Sequence, residues 1–167
     1  MKPQDDDVVL LILIALVVGL ALFLVVVLPV SAEARDTERT ACLHLVPAVV
    51  VRVIDGDTFV VQAHIWDRQI WEGAIRPRGI DAPEVHSRCQ EERTAAARAT
   101  AALAELLPAG TTVLLCNPQA DVYPGRANAS VLLSDGTTVS GVLLERGVVR
   151  PYDGKHKRPP WCTENER

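Results

Sequence analysis

The hydrophobic residues of this chain follow two contrasting patterns, an unbroken apolar run near the amino terminus and an alternating pattern beyond it. No residue between Val8 and Val30 is charged. This run of about 23 residues exceeds the roughly 20 that cross a hydrocarbon core as a helix, so it predicts a transmembrane anchor at 8–30. Its length also exceeds the roughly 7–15 residues of the apolar region in an ordinary signal peptide, although small residues around Ser31 leave a long, cleaved signal peptide as the alternative. Residues 1–7 are predicted to form a short tail and residues 31–41 a polar linker.

The alternating pattern predicts one domain of the α+β class, mainly β, over residues 42–162. Segments rich in alternating apolar or β-branched residues predict strands at 45–54, 59–66, 70–80, 111–116 and 126–133. An alanine-rich stretch predicts a long helix at 84–107 with Pro83 in its first turn, and 139–146 predicts a short amphipathic helix. This order is compatible with a five-stranded closed barrel of the OB type, followed by a tail at 163–167.

All four cysteines follow the apolar run, and none forms a CxxC pair. Because the usual zinc spacing is missing, two disulfides are the favoured interpretation, and four buried free thiols are the alternative. Disulfides require an oxidising compartment, so we expect the domain to be periplasmic or extracellular, tethered by the anchor or secreted after cleavage. The positive-inside rule gives a weak opposite indication, because Lys2 precedes the run while Arg35 and Arg39 follow it.

The net charge of the chain limits how it could bind nucleic acid. The formal value is −4 at pH 7. Proteins that grip long duplexes through counterion release are usually basic, so a general nucleic-acid-binding surface is not expected. Any polyanion is expected to be held locally, by a few basic side chains. The candidates are Arg76, Arg78, Arg126, Arg150 and the basic run 155–158.

Three short segments combine acidic side chains with arginines. They are Asp55-Gly56-Asp57-Thr58, the stretch from Ile75 to Glu84, and the stretch from Asp121 to Arg126. Taken alone, they are typical of a hairpin turn whose glycine supplies a positive φ, a capped helix start, and a loop. Taken together, they offer carboxylates that could share a hard cation and guanidinium forks that match phosphate oxygens.

In this order, the three segments closely resemble the signature of the thermonuclease family, the staphylococcal-nuclease-like enzymes. The resemblance runs from about Val49 to Tyr152, and the ending at Trp161-Cys162 resembles that of a smaller branch of the family. It implies one calcium ion, held by Asp57, by Asp81 and by the main-chain carbonyl of Ala82.

The same resemblance implies roles for five further residues. Glu84 would act as, or help to position, the general base for the attacking water. Arg76 and Arg126 would bind the phosphate and stabilise the charge that develops in the transition state. Asp55 would orient metal-bound water, and Tyr123 would hydrogen-bond or stack near the phosphate.

Two prolines depart from the family pattern. Pro77 directly follows Arg76, where it removes a ladder donor and predicts an edge or a bulge, and Pro124 is inserted into the usual Tyr-Gly-Arg. Either proline could displace the neighbouring arginine.

The barrel that the resemblance implies also suggests how the cysteines pair. Cys42 precedes the first strand and Cys116 ends the strand after the long helix, and these strands would be neighbours. Cys89 is then left to pair with Cys162, which would tie the tail to the start of the long helix.

The expected function is that of a membrane-tethered, Ca²⁺-dependent nuclease that hydrolyses phosphodiester bonds of DNA, RNA or both with low sequence specificity. Its expected partners are the nucleic acid substrate and, through the N-terminal helix, the membrane, and it is expected to be a monomer. One alternative is a tethered module that keeps the barrel and binds nucleic acid or another ligand without catalysis. Another is a structural envelope protein in which the first two motifs are only a turn and a cap.

Overall fold

The computed structural model describes residues 42–156, 158 and 160–162 of the chain. The predicted anchor or signal peptide at 8–30, its flanking segments 1–7 and 31–41, and the tail at 163–167 lie outside the described residues. Within the described part of the chain, no helix is long and apolar enough to cross a membrane.

The described residues form seven strands and two helices. In chain order these are β1 (Leu45–Asp55), β2 (Thr58–Trp66), β3 (Gln69–Pro77), β4 (Gly79–Asp81), α1 (Gln90–Leu106), β5 (Thr112–Ala120), β6 (Arg126–Leu132), α2 (Val139–Glu145) and β7 (Arg150–Tyr152).

Five of the strands close into a barrel with the order β1-β2-β3-β6-β5. The β3–β6 pairing is parallel, whereas the other ladders, including the β1–β5 ladder that closes the barrel, are antiparallel. The prediction of a mainly β fold with a closed five-stranded barrel, one long helix and one short helix is confirmed.

The core fills the barrel interior and continues under α1. Phe59, Val61 and Ile75 are fully buried because side chains alternate along a strand and every second one points inward. On α1, Ala99 and Leu103 are buried against this core. Small and large side chains therefore alternate where the helix meets the barrel, which lets the helix approach closely.

Gly56, in the β1–β2 turn, is needed for a reason other than the one predicted. It is not among the residues with positive φ. A Cβ atom added there would lie 2.6 Å from the Cβ of Ala99 and 2.9 Å from the Cβ of Ala82. Close packing therefore requires glycine at this position, and it holds the turn against α1.

The predicted third strand is interrupted. β3 ends at the buried Pro77, in register with Ala129 of β6, and the next N–H, that of Arg78, donates to the Ala129 carbonyl. Gly79 then adopts φ +85° and turns the chain out of the barrel. As a result, β4 pairs with β7 in a separate two-stranded sheet, which the sequence pattern did not predict.

The predicted start of the long helix at Glu84 is wrong, because α1 begins at Gln90. The preceding segment is irregular and is held by the Glu92 carboxylate. That carboxylate accepts hydrogen bonds from the Glu84 N–H at 3.1 Å and from the Ser87 hydroxyl at 2.5 Å. Glu84 consequently lies in an extended approach to the helix and not in its first turn.

β5 is also longer than predicted, since it continues past Cys116 to Ala120. Its register with β6 shifts between Cys116 and Gln119, and Asn117 within this irregularity has φ +48°. The Asn117 side-chain oxygen accepts the backbone N–H groups of Leu43 and His44. The local break in alternation explains why the apolar pattern marked only the first half of the strand.

Both predicted disulfides are present. Cys42–Cys116 joins the segment before β1 to β5. Cys89–Cys162 joins the residue that precedes α1 to the segment that follows β7, which is called the C-terminal tail below and precedes residues 163–167. The first lies at one end of the barrel. The second brings the tail beside the segment that links β4 to α1.

Candidate functional site

A pocket of about 450 Å³ lies where the β1–β2 turn, the end of β3, the segment after β4 and the loop before β6 meet. Seven of the residues singled out from the sequence line it. These are Asp55, Asp57, Arg76, Ala82, Glu84, Tyr123 and Arg126. The eighth, Asp81, is buried, and it reaches this wall through its ion pair with Arg76. The three motifs, distant in sequence, are thus brought to one place by the barrel.

The Asp57 carboxylate is fixed at both oxygens and is only 5% exposed. Its Oδ1 accepts hydrogen bonds from Nη1 of Arg76 at 2.7 Å and from the Thr58 hydroxyl at 3.2 Å. Its Oδ2 accepts the backbone N–H of Ala82 at 2.9 Å. The last bond joins the first motif to the second, so the segment after β4 is placed directly against the β1–β2 turn.

Arg76 bridges the two aspartates that were predicted to bind calcium. Besides its bond to Asp57, its Nη2 lies 3.4 Å from Oδ1 of Asp81, which is 2% exposed. Arg76 can do this because Ile75 points into the barrel, which leaves its neighbour on the opposite face of β3. The guanidinium is therefore held at the pocket wall between two buried carboxylates.

The Asp55 carboxyl group is partly buried beside Asp57 and Arg76. Burial raises the pKa of Asp55 above its ordinary value, in spite of the hydrogen bond that its carboxylate accepts from the Asp57 N–H, and the nearby Asp57 charge adds to the increase. The raised pKa therefore follows first from burial of this carboxyl group, and Arg76 nearby only partly opposes it.

Arg126 enters the pocket from the first position of β6. Its Nε donates to Oδ2 of Asp121 at 2.6 Å, and its guanidinium lies 4.4 Å from the centroid of the Tyr123 ring. Partial desolvation opposes ionisation of Asp121, but the hydrogen bonds from Arg126 and from the Val122 N–H outweigh it, so the pKa of Asp121 lies below its ordinary value. The carboxylate therefore stays charged and orients the arginine.

The two prolines leave both arginines beside the pocket. Pro77 follows Arg76 at the end of β3, where the parallel ladder with β6 continues through the next residue. Pro124 lies in the turn before β6, in which the Arg126 N–H donates to the Tyr123 carbonyl and Gly125 adopts φ +78°. The inserted proline is accommodated by this turn, outside the barrel strands.

Glu84 differs from the buried aspartates. Its side chain is 66% exposed and faces the pocket, and its carboxylate is contacted by Arg158 at 2.8 Å. An exposed carboxylate at the mouth of a pocket can meet a water molecule and a ligand at the same time.

The C-terminal tail contributes Arg158, which belongs to the basic run named as a candidate for polyanion binding, and Trp161, which was not predicted for the site. Nε of Arg158 lies 3.1 Å from Oδ1 of Asp81, and the indole N–H of Trp161 donates to Oδ2 of Asp81 at 3.4 Å. The basic run at 155–158 and the following cysteine were visible in the sequence. Because their meeting with Asp81 spans more than seventy residues, no local pattern could have assigned it.

The carboxylates around this pocket do not converge on one point, because no three of them lie within 4.8 Å of one another in the described part of the chain. Asp55, Asp57, Asp81 and Glu84 supply four carboxylates, whereas the guanidinium groups in contact with them belong to Arg76 and Arg158. When all are ionised, two negative charges remain in this set of side chains. Carboxylate and main-chain carbonyl oxygens are the ligands that calcium prefers.

A different cluster does not offer a metal site. Among the residues that the structure describes, three side chains able to bind a metal converge within 4.8 Å at Cys89, Glu92 and Cys162. The two cysteines are joined to each other, so they provide no thiolate ligand.

No protein-family model matches this chain, and no curated protein matches it. The geometry of the pocket and the resemblance of its three motifs are therefore the grounds on which a function can be proposed.

Proposed function

We propose that this chain is a membrane-tethered, Ca²⁺-dependent nuclease of the thermonuclease type, which hydrolyses phosphodiester bonds of DNA, RNA or both with low sequence specificity. The observation that carries the proposal is the meeting of all three motifs at one pocket, with Arg76 between two buried aspartates. The strand order of the barrel, with α1 between its third and fourth strands, supports assignment to the OB type.

In this proposal, calcium would be held by Asp57, Asp81 and the Ala82 carbonyl, and it would supply positive charge to the phosphoryl group when bound. Arg76 and Arg126 line the same pocket, so their guanidinium groups can hold one phosphate from two directions. Arginine suits this role because its fork remains charged and matches two phosphate oxygens.

Glu84 is the carboxylate best placed to accept a proton. In the proposed step a water oxygen bonds to phosphorus, its proton passes to Glu84, and the bond from phosphorus to the 5′ oxygen breaks. The departing oxygen takes a proton from solvent, which leaves a 3′-phosphate. The two arginines stabilise the added negative charge in the transition state, and each such stabiliser commonly contributes roughly 3–4 kcal/mol.

The proposed location is the oxidising side of a membrane. Two disulfides in the described part of the chain support this, because such bonds persist in the periplasm and outside the cell. The anchor itself is proposed from the apolar run at 8–30.

The test is cleavage of end-labelled single-stranded DNA and RNA by the full chain, purified in detergent with its disulfides intact, in calcium and in chelator. We expect cleavage in calcium alone. Glu84→Gln should lower the rate by about 10²- to 10⁴-fold, the usual contribution of a general base. Glu145→Gln, which changes an exposed carboxylate on α2, is the matched control and should leave the rate unchanged.

A folded wild-type chain that binds labelled strands but cleaves neither in calcium would favour the alternative of a noncatalytic binding module. A chain that does neither, and in which Glu84→Gln alters nothing, would favour the structural envelope protein.

A further inference from the structure

The C-terminal tail places a positive charge on the carboxylates proposed to serve calcium. Arg158 contacts Asp81 through Nε at 3.1 Å and Glu84 through Nη1 at 2.8 Å. One residue thus spans a proposed calcium ligand and the proposed base. The Oδ1 atom of Asp81 that Arg158 contacts also lies 3.4 Å from Nη2 of Arg76.

Several contacts hold the tail in this position. Arg150 of β7 donates to the Pro160 carbonyl at 3.0 Å, and its guanidinium lies 3.7 Å from the centroid of the Trp161 ring. The indole of Trp161 in turn donates to Asp81. Finally, the Cys89–Cys162 disulfide fixes the end of the described tail to the start of α1.

The two carboxylate contacts differ in their shielding from water. The Asp81 side chain is 3% exposed, so its interaction with a cation is weakly screened, whereas that of Glu84 is largely exposed. Arg158 is itself 44% exposed. Its guanidinium can therefore leave for solvent without unfolding any strand, unlike Arg76, which is built into the barrel.

We propose that Arg158 is a tethered cation that occupies Asp81 and Glu84 until calcium binds, and so sets the calcium concentration at which the site fills. The inference rests on the calcium site of the proposed function. Arg158 contacts Oδ1 of Asp81, so a calcium ion that bound this oxygen would have to displace the Arg158 guanidinium from it.

The Cys89–Cys162 disulfide strengthens the proposed competition between Arg158 and calcium. A tail fixed at Cys162 keeps the guanidinium near its carboxylates at a high effective concentration. Without the Cys89–Cys162 bond, Arg158 would be held by fewer contacts, and it would compete less well with the ion.

The test is calorimetric titration of calcium into the full chain, in detergent and under oxidising conditions. Arg158→Gln is expected to lower the Kd for calcium about two- to fivefold, the range expected when a partly exposed ion pair is removed. Arg158→Lys, which keeps the charge but loses the fork, should restore most of the wild-type Kd. The matched control is Arg146→Gln, because Arg146 pairs with the exposed Glu105 away from this pocket.

A second pair of variants tests the role of the tether. Cys89→Ser combined with Cys162→Ser should tighten calcium binding in the same direction as Arg158→Gln. Cys42→Ser combined with Cys116→Ser should leave the Kd unchanged, provided that thermal unfolding confirms a folded chain.

The outcomes separate this inference from the proposed function. If the wild-type chain binds calcium and Arg158→Gln binds it equally or more weakly, the competition is refuted while the calcium site stands. If neither protein binds calcium at millimolar concentrations, the calcium site is refuted, and the competition with it.

Discussion

The two disulfides of this chain enclose almost equal lengths of sequence but hold very different regions. Their partners are separated by 74 residues in Cys42–Cys116 and by 73 in Cys89–Cys162. In the chain-entropy model, loops of this length each restrict the denatured state by roughly 4 kcal/mol, so the two bonds should contribute similarly to stability. The two bonds differ in the region of the native structure that each one holds.

Cys42–Cys116 reinforces a region that is already paired. The β1–β5 ladder brings Leu45 opposite Cys116, and Asn117 binds the backbone of the adjoining segment. Cys89–Cys162, in contrast, holds the C-terminal tail, whose described contacts with the rest of the domain are mainly made by side chains. Bonds with equal entropic contributions can therefore differ in the contacts they accompany, because the second one fixes the segment from which Arg158 contacts Asp81.

The largest effect is expected within the pocket. Arg76→Ala removes a proposed phosphate ligand and leaves the buried Asp57 and Asp81 without their shared partner, so it should lower kcat for DNA cleavage by about 10²- to 10³-fold. Arg52→Ala, which alters an exposed arginine on β1, is the control and should cleave at the wild-type rate. Equal rates for the two variants would place the chemistry elsewhere.

Removal of each disulfide should have the next largest effect. Serine pairs at positions 42 and 116, and separately at 89 and 162, should each lower the free energy of unfolding by roughly 2–4 kcal/mol. Denaturant titration of both proteins gives the two values. If only one serine pair lowered the free energy of unfolding, equal loop length would not explain the contribution of the two bonds. The difference would then lie in the denatured chain or in native strain.

Gly56→Ala should have a smaller effect, because it adds one methyl group to the tight contact between the β1–β2 turn and α1. The new Cβ would meet Ala99 and Ala82, so we expect a loss of about 1–3 kcal/mol of stability. A double-mutant cycle with Ala99→Gly measures the coupling. Additive effects, with no rescue of stability by the second change, would contradict close packing as the reason for this glycine.

The smallest effect concerns the pH dependence of stability. Because burial raises the pKa of Asp55 in the folded state, its contribution is fully present below the unfolded pKa, near 3.8, and is lost as the pH rises through the higher folded value. Thermal unfolding of Asp55→Asn between pH 3 and pH 7 should therefore show less loss of Tm with rising pH than the wild type. An identical pH profile for both proteins would contradict desolvation of this group.

The barrel was predictable because its strands alternate where one face is buried, as from Val61 to His64. The β1–β2 turn was predictable because Asp55 and Gly56 are typical of a chain reversal, and the loop before β6 was predictable from Asp121, Pro124 and Gly125. The pairing of Cys42 with Cys116 then followed from the order of strands in such a barrel. In each case a local pattern, or a known topology, carried enough information.

Other features depended on contacts that no local pattern records. The start of α1 was misplaced because Pro83 and Glu84 have the composition of a helix start, whereas the Glu92 carboxylate holds Glu84 outside the helix. The three-residue strands β4 and β7 are too short to show a period. The contact between Arg158 and Asp81 joins distant parts of the chain, in a segment that the Cys89–Cys162 disulfide also fixes.

The most direct test of the catalytic pocket is cleavage of single-stranded DNA in water enriched in ¹⁸O, followed by mass spectrometry of the product ends. Attack of water on phosphorus predicts one ¹⁸O atom in each new 3′-terminal phosphate, formed in calcium and nearly absent with Glu84→Gln. Products that carry no label in the terminal phosphate, or labelled products formed equally fast by the Glu84 variant, would contradict it.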